Sequence, residues 1–142
     1  MAAVCEYADP RVLLASLPFV RELGIGVVSA EPGKVVVEMP FAERFSTSPN
    51  HFPASIVGAL GDVAAVSSCV SWLPNGWAAA TLDYTIKMTA PAQGEKLLAK
   101  GRVLQAGQTT CVGAADIFAI SAGSEVLCGT VLATARNFRL KG

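Results

Sequence analysis

Charge is scarce in this sequence of 142 residues: 11 basic and 11 acidic side chains make up 15% of it, where an average soluble domain carries about 25%. Few charges combined with 52% apolar residues exclude intrinsic disorder, which needs the reverse composition. A net charge of zero, with the basic residues spread along the chain, argues against nucleic acid as the main partner. Histidine occurs once, at His51, so no Ser-His-Asp or Cys-His arrangement has a second anchor. There is no G-x-S-x-G, no Walker loop, no dinucleotide fingerprint and no set of metal ligands, so no metal or redox cofactor is expected. Cys5, Cys69, Cys111 and Cys128 lack C-x-x-C spacing. The start of the chain is acidic (Glu6, Asp9) and has no apolar core segment, unlike a signal peptide. The expectation is four free thiols in a cytoplasmic protein.

What the sequence does have is length for one domain, taken as residues 1–142, and one apolar run, Ala54 to Leu73, whose only charge is Asp62. Two readings explain the missing charge: a membrane contact, or a face buried in an oligomer. Seven of the twenty residues in the run are Gly, Ser or Asp, and no Lys or Arg flanks it closely. Those features favour a central helix wrapped by sheet over a membrane span.

The rest of the chain reads as short elements. Asp9 can cap a helix with Pro10 at its first position, running through Arg11–Leu17 and resuming at Phe19–Leu23. Ile25–Ala30 and Lys34–Met39 are strand-like around a Pro32-Gly33 turn. Residues 40–52 form a loop. Within the central helix, Ile56, Leu60, Val63, Ser67 and Val70 mark the expected core stripe, and Pro74-Asn75-Gly76 ends it. Leu82, Tyr84, Ile86 and Met88 then alternate with Thr81, Asp83, Thr85 and Lys87, which predicts a strand with Thr81 facing away from the core. Leu97–Gln105, Thr110–Ile120 and Val126–Phe138 give three more. One long helix among six strands predicts an α+β domain with an antiparallel sheet curled around that helix.

Asp62 sits about 110° round the helix from the core stripe, stacked with Ser55, Gly58, Val66 and Cys69. A carboxylate above small residues is either a structural hydrogen-bonding group or a partly desolvated base with room for a ligand beside it. The helix start, Asn50-His51-Phe52-Pro53-Ala54-Ser55, presents unpaired backbone N–H groups and the positive end of the dipole, suited to a carbonyl oxygen or oxyanion. An ordinary capped helix explains it equally well.

With these residues in place, the chain resembles the PaaI-type hot-dog acyl-CoA thioesterases over about Leu17 to Phe138. The resemblance rests on Ile56-Val57-Gly58-Ala59-Leu60-Gly61-Asp62-Val63-Ala64, on the stretch from Thr81 to Glu95, and on Gly101-Arg102-Val103-Leu104-Gln105-Ala106-Gly107. The family begins its helix with His-Gly-Gly, and an acidic residue follows nine positions after the His. Here that motif is replaced by Pro53-Ala54-Ser55, and a family Asn six residues earlier falls on Thr47. The resemblance implies a hot-dog fold and hydrolysis of an acyl-CoA-type thioester to the free acid and CoA. It also implies a homodimer or homotetramer with shared sites. Asp62 would be base or nucleophile, Thr81 would help place the water, and the Ala54 N–H would polarise the carbonyl. Asn50, His51, Pro53 and Ser55 would border the substrate. The alternatives are a hot-dog domain that binds an acyl ligand without cleaving it, and a structural assembly subunit.

Overall fold

Asp9 caps the first helix as its position suggests. Its carboxylate accepts from the Arg11 N–H at 2.9 Å, and Pro10 opens α1 (Pro10–Ala15). A second proline opens α2 (Pro18–Leu23), which stops at Gly24 in the left-handed region. The computed structural model describes residues 7–141. Strands β1 (Gly26–Glu31) and β2 (Lys34–Pro40) follow as a hairpin, then a 3-10 turn at Glu43–Phe45 and the long helix α3 (Ala54–Val70). Four strands complete the chain: β3 (Trp77–Met88), β4 (Lys96–Ala106), β5 (Thr110–Ser121) and β6 (Ser124–Arg139). They form one antiparallel six-stranded sheet in the order β1-β2-β4-β5-β6-β3, so α3 carries the chain across the sheet from β2 to the far edge. Among the described residues no helix is long and apolar enough to cross a membrane.

The helix meets the sheet through its small residues. Val57, Leu60, Ala64, Ala65 and Ser68 are fully buried. A Cβ on Gly101 would run into the Ala64 carbonyl, and one on Gly113 would stand 2.6 Å from the Ala65 carbonyl oxygen. Glycines on β4 and β5 therefore let the helix backbone lie directly on the sheet. This corrects the expected stripe: Leu60, Ser67 and Val70 are buried, but Ile56 and Val63 are only half-buried. The contact face is rotated because Gly, Ala and Ser carry little hydrophobic signal yet allow the closest approach. On the opposite side, Ser55, Ala59, Asp62, Val63 and Val66 form a stripe at helical spacing that the chain covers only in part.

The cysteines require a second correction. Cys69, on the last turn of α3, and Cys111, near the start of β5, form a disulfide with their Cα atoms 6.1 Å apart. Sequence spacing could not show that proximity, since 42 residues separate a helix position from the strand beneath it. Cys128 is a free, buried thiol pushed up to about 11 by burial, and Cys5 lies outside the described residues. The expectation of four free thiols therefore fails for Cys69 and Cys111 and holds for Cys128.

Candidate active site

Asp62 projects from α3 at the border between its partly covered stripe and β3. The Thr81 hydroxyl, at 2.8 Å, donates to Asp62 Oδ1. Burial raises the Asp62 carboxyl above its usual 3.8, and the Thr81 bond offsets part of that rise. No other hydrogen bond to this carboxylate occurs among the described residues, so Oδ2 remains open to a water.

Thr81 reaches Asp62 because β3 carries a bulge. Thr81 pairs with Ala135 and Asp83 with the adjacent Thr134, so Leu82 is an extra residue. The bulge switches the faces: Ala79 and Thr81 point to the helix before it, and Tyr84, Ile86 and Met88 after it. The alternation in the sequence predicts Thr81 facing away from the core, opposite to Tyr84. In the structure both share the helix side, because an inserted residue shifts a period-two pattern by one. Tyr84 is the residue that sequence reasoning passed over. Its ring lies against Gly58, where an added Cβ would be 3.2 Å from Cε2 and 3.3 Å from the hydroxyl oxygen.

The helix start lies two turns away. Pro53 is the N-cap residue, with φ −67° and ψ 155°, and no side chain caps the helix. The Pro53 carbonyl accepts from the Ile56 and Val57 N–H groups at 3.0 and 3.1 Å. The Ala54 and Ser55 amides precede these and have no intrahelical acceptor, and both residues are exposed. The approach to this turn is pinned by the Phe52 N–H donating to the Ala92 carbonyl and the Gly94 N–H to that of Asn50. Asn50 (φ 60°) and His51 belong to a tight turn closed by the His51 N–H on the Ser48 carbonyl. His51 Nδ1 is 2.8 Å from the Pro49 carbonyl, which fixes the ring proton on that nitrogen. Beside Ser55 an open groove of about 600 Å3 runs between Phe19, Leu23, Phe45, Ile56 and Ala59.

The structure thus joins Asp62 to Thr81, sets Ala54 and Ser55 at the helix start, and engages Asn50 and His51 in a turn. Asp62 and the Ala54 amide are eight residues apart, about 12 Å along the helix. That is too far for one carbonyl carbon to meet both. Among the described residues no three His, Cys, Asp or Glu side chains come together as metal ligands.

No family model matches the sequence, and no curated protein matches it significantly. Solved structures do. A thioesterase family protein from Silicibacter pomeroyi aligns with a TM-score of 0.88 at 25% identity, over 92% of this chain and 96% of that one. A thioesterase from Haemophilus influenzae aligns at 0.80 and 19% identity, over 100% and 98%. The E. coli PaaI protein from the phenylacetic acid degradation operon aligns at 0.78 and 21% identity, over 94% and 92%. In sheet order and in its crossing helix the chain has the hot-dog fold, the fold it shares with these thioesterase-family structures.

Proposed function

We propose that the protein hydrolyses an acyl-CoA-type thioester at a site built from two copies of the chain. The observation that carries this reading is the Asp62 carboxylate, half-buried, held by Thr81 through one oxygen and open at the other. Such a group can orient a water and accept its proton. The water oxygen attacks the thioester carbonyl carbon and Asp62 takes the proton. The C–S bond then breaks and the thiolate leaves with that proton as the free thiol. The negative charge on the carbonyl oxygen needs a donor, which the exposed Ala54 N–H at the dipole's positive end supplies. Ala keeps that N–H as Gly would.

The distance of about 12 Å between Asp62 and the Ala54 amide of one chain is bridged by a second copy. Two α3 helices packed antiparallel along their partly covered stripes, crossing near Gly58, bring Asp62 of each beside Ala54 of the partner subunit. The twelve residues of β3 form a sheet edge, with Leu82, Tyr84 and Met88 each more than 40% exposed. Pairing of that edge with its copy covers unpaired backbone groups and apolar side chains together. The groove between Phe19 and Phe45 gives the long thiol arm a path out to solvent. A thiol-release assay on acyl-CoAs tests the reading: wild-type turnover that falls steeply in Asp62→Asn supports it. Equal turnover in both proteins would overturn it.

A further inference from the structure

Tyr84 borders the stretch of α3 between Ala54 and Asp62, and nothing in the hydrolytic step uses it. The bulge at Leu82 turns it onto the helix face, and Gly58 lets the ring settle against the helix. Gly58 is four residues from both Ala54 and Asp62, so the hydroxyl sits on one helix face between the oxyanion donor and the base. The same patch of Gly58 is bordered by the half-buried Ile86, whose Cδ1 would stand 3.4 Å from an added Cβ. No hydrogen-bond partner for the hydroxyl occurs among the described residues, and the side chain is 41% exposed.

We propose that the Tyr84 hydroxyl selects acyl groups that carry an oxygen substituent near the thioester, such as hydroxyacyl groups, over plain alkyl ones. The inference rests on the shared-site reading above. On that reading the groove beside Ser55 and Ala59 takes the thiol arm, and the acyl group is assigned to the side of α3 that faces Tyr84. An alkyl chain lying over Tyr84 strips water from the hydroxyl and returns no hydrogen bond. An oxygenated chain returns one. Sites that hydrogen-bond a substrate hydroxyl discriminate strongly against analogues that lack it, because the protein's own polar group is then left unpaired.

The test uses a matched pair, butanoyl-CoA and 3-hydroxybutanoyl-CoA, with wild type, Tyr84→Phe and Gly58→Ala. Wild type should favour the hydroxy ester about 10-fold or more in kcat/KM. Tyr84→Phe should bring that ratio close to one, and Gly58→Ala, which shifts the ring by a few tenths of an ångström, should reduce it. The same pair is titrated calorimetrically into the Asp62→Asn protein, with and without Tyr84→Phe, so that binding is read without turnover. A preference in binding that Tyr84→Phe removes supports the role of Tyr84 even if wild type proves inactive, in which case only the hydrolytic reading falls. Turnover without any preference, or a preference that survives Tyr84→Phe, overturns the inference and leaves hydrolysis standing. Failure of both esters to bind overturns both.

Discussion

The proposed role of Asp62 has opposite consequences for activity and for stability, and this separates a working base from a structural group. Its carboxyl is raised above the usual 3.8 by burial, so the folded protein keeps this proton to a higher pH than the unfolded chain does. Between the two values stability falls as pH rises, and above the folded value the cost is fully present. Asp62→Asn removes that cost and can still accept the Thr81 hydrogen bond. Its melting temperature at pH 7 should equal or exceed that of wild type, and the difference should vanish below about pH 3.8. Turnover should fall by about 10²–10⁴, roughly 3–5 kcal/mol of barrier. Wild-type kcat should show an acid limb above pH 3.8. A structural Asp62 predicts the reverse: a lower melting temperature and turnover nearly intact. Asp62 and the helix start were legible because an isolated charge in an apolar helix and an uncapped first turn are local signals. The face of Thr81 was not legible, because a bulge leaves no mark in the alternation until its partner strand is known.

The helix and sheet are held at close range by glycines, and that contact is open to a direct test. Gly101→Ala puts a Cβ into the Ala64 carbonyl, so α3 must lift from β4. The expected loss is about 1–3 kcal/mol, read as a lower urea midpoint at unchanged slope. An unchanged midpoint would mean that the contact yields freely. The disulfide fixes the other end of the same helix. Reducing Cys69–Cys111, or replacing both by Ser, should cost about 2–4 kcal/mol and lower the melting temperature by roughly 5–15 °C. Intact mass should rise by two protons on reduction, and no rise would show both thiols already free. Five strands lie within two residues of their sequence-based bounds, because Gly, Pro and Asn punctuate them clearly, while β3 starts at Trp77, four residues before the alternation that begins at Thr81. The helix was expected to run to Leu73 and ends at Val70, where the Ser71 N–H bonds back to the Ser67 carbonyl and the chain turns toward Pro74. Its contact face is built of small residues, which hydrophobic periodicity weighs least.

At the scale of the whole molecule, the missing charges coincide with surface that the monomer leaves open or covers only in part: the edge strand β3 and the outer stripe of α3. Light scattering at micromolar concentration should therefore show a dimer or a larger even assembly. A strict monomer would leave Asp62 without an oxyanion donor in reach. The most direct measurement combines two crippled proteins. Asp62→Asn lacks the base. Ala54→Pro lacks the N–H donor yet fits a first helical position, since Pro53 is already extended. Each alone should lose about 10²-fold or more in turnover. When the two are unfolded together and refolded at equal amounts, half of the dimers contain one of each, and one of their two sites is intact. Activity should return to about a quarter of wild type. A mixture no more active than its parts, with mixed dimers confirmed by native mass, would contradict a site shared between subunits.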